Sequence, residues 1–144
     1  MDTTNGDTVH VIATSVDGTR AALDEATALA RGRSGRVVLF LRRAATSLNG
    51  PESGNSDDTE RALRRLTDSY NPRPNVLACV CQRAIDIVQL FQSPGLVVIG
   101  GDTRLLVPTA EQRLARALTR LGCQVTFVHV PRRRFVSPFA AAAQ

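Results

Sequence analysis

Few residue types in this sequence can do chemistry at neutral pH, and those that can are scattered. Three cysteines and two histidines are present, and all 18 basic residues are arginine. The lack of lysine excludes a Walker-type phosphate lysine, a Schiff-base lysine and the lysine that a response-regulator receiver needs. Cys79 and Cys81 are spaced C-x-C inside an apolar run and Cys123 lies far along the chain. No zinc spacing is completed, so the cysteines are assigned to the core as small hydrophobes. His10 and His129 fall within β-like runs, away from a strand's carboxyl end, and no Ser–His–Asp set is in place. What remains is Ser15-Val16-Asp17-Gly18 and Gly100-Gly101-Asp102-Thr103. An Asp-Gly pair suits a turn or helix cap, and glycines after a strand let backbone N–H groups approach an anion.

The elements that must position these residues follow from periodicity. Val9 to Val16 is a β-rich run closed by the Asp17-Gly18 turn, and from Thr19 the stripe Ala22, Leu23, Ala26, Leu29 and Ala30 predicts a helix ending near Gly32 and Gly35. Val37 to Leu41 reads as a strand covered on both faces, Ala44 to Asp58 as a long polar loop, and Glu60 to Tyr70 as a helix ended by Asn71-Pro72-Arg73-Pro74. Val76 to Val80 is a third strand, Ala84 to Phe91 a short helix and Leu96 to Ile99 a fourth strand ended by Gly100-Gly101-Asp102. Thr109 and Gln112 form a T-x-x-Q capping box that opens a helix closed by Gly122, and Val125 to Val130 is the fifth strand.

Strand and helix alternating to five strands predicts an α/β fold, a doubly wound, Rossmann-like parallel sheet with helices on both faces. Its functional crevice lies at the carboxyl ends of the strands. Candidate residues there are Ser15 to Thr19, Arg42 and Arg43, Gln82 and Arg83, and Gly100 to Thr103. At 144 residues, one domain is expected over 8–131, with a flexible N-terminus over 1–7 and an alanine-rich tail over 132–144 that carries Arg132-Arg133-Arg134. A 43% hydrophobic and 22% charged composition is that of a globular protein. No apolar run reaches the roughly 18 residues of a spanning helix, and the polar, acidic start is unlike a signal peptide. A cytoplasmic protein without membrane contact is expected. The net charge of +5 reads as solvated surface, since one tyrosine, no tryptophan and no recognition motif argue against specific nucleic-acid binding.

In the order of its elements and in several local motifs the chain resembles the universal stress protein family. The resemblance covers roughly Thr8 to Pro131 and rests on three stretches: Val16-Asp17-Gly18-Thr19 with Ala22-Leu23-Asp24-Glu25-Ala26 behind it, Leu96-Val97-Val98-Ile99-Gly100, and Gly122-Cys123-Gln124-Val125. Many members of that family bind ATP or a related adenine nucleotide through Gly-x-x-Gly, a spacer of about nine residues, then Gly with Ser or Thr. The resemblance implies a nucleotide set of Ser15, Val16, Asp17, Gly18, Gly100, Gly101 and Thr103, with Asp17 beside the adenosine. It also implies a homodimer paired through Val125–Val130.

This sequence departs from the signature. Gly100 takes the first glycine position, but Thr103 stands at the second and Arg113-Leu114 at the third pair, or Glu111-Gln112 when aligned back from Cys123. Side chains there obstruct the backbone cradle, and a carboxylate at a helix N-terminus repels a triphosphate. The expectation is a non-catalytic, homodimeric binding or regulatory module that takes no cofactor and does not bind ATP in the family manner. The alternatives are an ATP- or AMP-binding member with a modified loop, and a weak nucleotide-hydrolysing enzyme. Against the enzyme stands the absence of a Ser-Gly-Gly-x-Asp-Ser loop and of a His-x-Gly-His pair.

Overall fold

In the computed structural model, which describes residues 8–33, 35–44, 53–81, 84–91, 95–102 and 108–130, the alternation resolves into five strands. They are β1 (Thr8–Ile12), β2 (Arg36–Ala44), β3 (Asn75–Cys81), β4 (Leu96–Gly101) and β5 (Gln124–His129). The α-helices between them are α1 (Val16–Arg33), α2 (Ser53–Asp68) and α3 (Ala110–Arg120), and a short 3-10 helix spans Ala84–Leu90. The strands form one sheet in the order β3-β2-β1-β4-β5, and every pairing is parallel. The expected doubly wound α/β fold is therefore present. Chain direction across the sheet reverses between β1 and β4, which places a topological switch point at their carboxyl ends.

Strands buried on both faces need apolar side chains on both, and two clusters supply them. On one face Val9, Val11, Leu39, Leu41 and Val98 pack under Ala22, Leu23, Ala26 and Ala30 of α1 and Leu63 of α2. On the other, Ile12, Val97 and Ile99 meet Ile87 of the 3-10 helix, Leu114 and Leu118 of α3, and Cys123.

Several boundaries differ from the sequence expectation. β1 stops at Ile12 and the helix starts at Val16, because Ser15 Oγ accepts from the Gly18 N–H at 3.0 Å and caps the helix. Asp17-Gly18 is thus the first turn of α1 and not a separate turn. The helix α2 begins at Ser53, inside the stretch read as loop. Leu63 is buried, and Glu60 is held by Arg43 across from β2. β2 runs to Ala44, so Arg42 and Arg43 belong to the strand and do not follow it. β4 includes Gly100 and Gly101, which pair with Val128 and His129. The core assignment holds for Cys123 but not for Cys79, which is half-buried on edge strand β3 beside Leu77 and Val80, 49% and 69% exposed. The side chain of Cys81 and residues 1–7 and 132–144 lie outside the described residues.

The capping box of α3 forms as expected: Thr109 Oγ1 accepts from Gln112 N, and Gln112 Oε1 accepts from Thr109 N. At its other end Gly122 has φ 93°, and the Gly122 and Cys123 N–H groups reach Thr119 O and Leu118 O, closing the helix with a Schellman motif.

The first turn of α1 approaches β4 more closely than any side chain would allow. A Cβ on Gly18 would come within 2.5 Å of the Gly100 carbonyl oxygen, and a Cβ on Gly100 would collide with the Gly18 carbonyl. Gly18→Ala and Gly100→Ala should each lower unfolding free energy by about 1–3 kcal/mol through overpacking. Gly32 has open space around the position of a Cβ, and Gly32→Ala should instead stabilise by roughly 0.4–1 kcal/mol. Urea denaturation of the three variants reads both signs.

Candidate functional site

The switch point is bordered by the N-terminus of α1 on one face of the sheet and that of α3 on the other. At the first, Thr14 links β1 to β4: its hydroxyl donates to Gly100 O at 2.6 Å. Its N–H donates to Thr19 Oγ1 at 3.0 Å, and Thr19 N–H donates to Ser15 O at 2.9 Å. The Gly18 N–H, one of the helix-start donors that lack an intrahelical partner, is taken up by Ser15 Oγ. At the second, Thr109 Oγ1 donates to Asp102 O at 2.9 Å while accepting from Gln112 N.

Gly101 has a different neighbour. A Cβ there would meet Glu111 Cγ at 2.8 Å and Cβ at 3.0 Å, so the stem of Glu111 lies across the Gly101 backbone. The Glu111 side chain, in the first turn of α3, therefore packs on the backbone at the end of β4.

The residues expected from sequence divide accordingly. Ser15, Val16, Asp17, Gly18, Gly100 and Gly101 are brought together at the switch point. Ser15 is the cap, and Asp17 sits in the first turn with its carboxylate 39% exposed, 3.8 Å from Arg20. Thr103, Gln82 and Arg83 lie outside the described residues. Arg43 is committed elsewhere: its Nε and Nη2 make a two-pronged bond to Glu60 at 2.7 and 2.6 Å, and Arg64 adds 3.0 Å. Those guanidiniums, Arg43 first, hold the Glu60 carboxyl down at about 2. Tyr70 donates to Asp24 at 2.6 Å, joining α1 to the end of α2, and its phenol is pushed upward chiefly by burial and then by that carboxylate.

Sequence reasoning missed the role of Thr14, because a threonine within a β-rich run reads as strand. It also placed both histidines away from crevice ends. His129 is the last residue of β5 and exposed, opposite Gly101, because the strand is one residue shorter than its apolar run. His10 does lie within β1. Its ring is stacked on Phe40 at 5.7 Å and edge-on to Phe91 at 5.2 Å. Nδ1 is 3.1 Å from the Leu96 carbonyl, which only accepts, so Nδ1 carries the proton. Among the described residues no group of three or more His, Cys, Asp and Glu could hold a metal ion, and no helix is long and apolar enough to cross a membrane.

With this geometry in place, comparison with known proteins separates fold from family. Among solved structures the chain is similar to the universal stress protein UspA from Lactobacillus plantarum. The TM-score is 0.54 at 15% sequence identity, over 84% of this chain and 96% of that chain. That likeness is one of fold. Neither a protein-family model nor a curated protein matches the sequence.

Burial pushes the His10 imidazole below its ordinary 6.5, and the Leu96 carbonyl opposes this only in part. The unfolded chain therefore binds this proton more readily than the folded one. His10 contributes no loss at neutral pH, and stability should fall as pH drops below about 6.5 until the folded-state value is passed. Urea midpoints between pH 8 and pH 5 check this: His10→Gln should flatten that part of the curve, and an unchanged slope would contradict it.

Proposed function

We propose that this chain is a non-catalytic binding or regulatory module of the universal-stress-protein type that does not hold ATP in that family's manner. The observation that carries the reading is the state of the two helix N-termini at the switch point, where a phosphate would be received. Both are capped by their own serine and threonine, and the Glu111 stem overlies Gly101. A phosphate there would compete with a cap for backbone donors and approach a carboxylate, each unfavourable on its own.

Among the described residues, Thr14 and Thr109 both spend their hydroxyl protons on backbone carbonyls, which supports a role without turnover. Action would then rest on association. The last strand is an edge of the sheet, which supports pairing of two copies through Val125–Val130.

Titration calorimetry with ATP, ADP and AMP on the pure protein tests the first part. No binding heat is expected up to high micromolar nucleotide. Micromolar ATP binding that is lost in Asp17→Ala would overturn the reading, and ATP hydrolysis lost in the same variant would overturn the non-catalytic assignment.

A further inference from the structure

Beyond the switch point, the molecule has a second concavity at the β5 edge. A groove of about 430 Å³ runs between α3 and β5, lined by Ala115, Arg116, Thr119, Arg120, Val125 and Phe127. Its floor is apolar, since Ala115, Val125 and Phe127 are half-buried against the core beneath α3. Its rim is cationic. Arg116 and Arg120 stand one helical turn apart, both exposed, and neither pairs with a carboxylate among the described residues.

The backbone beside the groove is also unpartnered by any described strand. Gln124 N–H donates to Gly95 O and Val130 N–H to Gly101 O. In a parallel ladder the bonded residues of one strand alternate, so even-numbered residues of β5 turn their backbone groups to β4. Val125 and Phe127 turn theirs outward, and their side chains line the groove. A strand laid here gains edge hydrogen bonds and an apolar floor from the same two residues, the arrangement of strand addition.

We propose that the groove between α3 and β5 receives an acidic extended segment of another polypeptide as an added strand, in competition with a second copy of this chain. This rests on the reading of β5 as the pairing edge. The charge decides between the occupants. Two copies joined antiparallel through β5 share a two-fold axis normal to the sheet, which brings both pairs of Arg116 and Arg120 to one face. Those like charges oppose each other, whereas carboxylates on an added strand meet them. Salt therefore acts in opposite directions: it screens the repulsion in the self-pair and weakens the attraction for an acidic strand.

Two fluorescein-labelled peptides serve as probes, one repeating Glu-Thr-Val-Thr and one repeating Lys-Thr-Val-Thr so that charge and valine share one face of an added strand, added to the full chain and followed by anisotropy. Sedimentation velocity of the protein alone reads self-association over the same salt range. The glutamate peptide is expected to bind, more weakly as salt rises, and the lysine peptide not to bind. The double variant Arg116→Ala, Arg120→Ala should bind the glutamate peptide about fivefold to tenfold more weakly while self-associating more strongly. Equal binding of both peptides, or glutamate-peptide binding indifferent to salt or to the double variant, overturns the proposal. Self-association that rises with salt while no glutamate peptide binds also overturns it and leaves the homodimer standing. Glutamate-peptide binding without self-association at any salt removes the homodimer and the competition with it, and leaves the groove as the site of an acidic strand.

Discussion

The backbones of Gly18 and Gly100 touch, and the seating of helix α1 follows from that contact. Because neither residue carries a Cβ, the first turn of α1 comes down onto the end of β4. The helix is thereby set at the depth where Ala22, Leu23, Ala26 and Ala30 close over Val9, Val11 and Val98. A deeper helix would clash and a shallower one would leave voids, since protein interiors are packed at crystal-like density. Three small residues on α1 are the complement of this depth. Alanine at 22, 26 and 30 allows the helix to lie close along its whole length, not only at its first turn.

The same contact governs the chemistry left at the switch point. With α1 pressed against β4, the Thr14 hydroxyl reaches the Gly100 carbonyl and the Thr19 hydroxyl reaches back to Thr14 N–H. Among the described residues no buried side-chain polar atom is left without a partner. A binding crevice in an open α/β sheet works by leaving such donors unspent for its ligand. Here the caps and the Glu111 stem use that space, and the outward-facing backbone and unpaired arginines are found at the β5 edge.

How far the sequence told this depended on what kind of signal each feature carries. The five-strand alternation, the Thr109–Gln112 capping box and the closing Gly122 are local patterns with local causes, and each stands where expected. The start of α1 was misread because Val16-Asp17-Gly18 satisfies both turn and helix-start chemistry. Only the Ser15 cap, a three-residue hydrogen bond, decides between them. The first turns of α2 were hidden in a polar stretch rich in Ser, Asn, Gly and Asp that carries no apolar stripe to mark a helix. At the site, the glycines could be named but not their reason. Nothing in the spacing of Gly18 and Gly100 states that they face each other, and a glycine that serves close packing looks the same as one that serves a phosphate.

The central claim is that the switch point is closed by protein contacts and not held open for a nucleotide. Backbone amide NMR of the labelled chain during addition of millimolar Mg-ATP tests it most directly. The amides of Thr14 to Thr19 and of Gly100 to Asp102 are expected to keep their positions throughout. Saturable shifts confined to those amides would show that the caps yield and the crevice admits phosphate, contradicting the account.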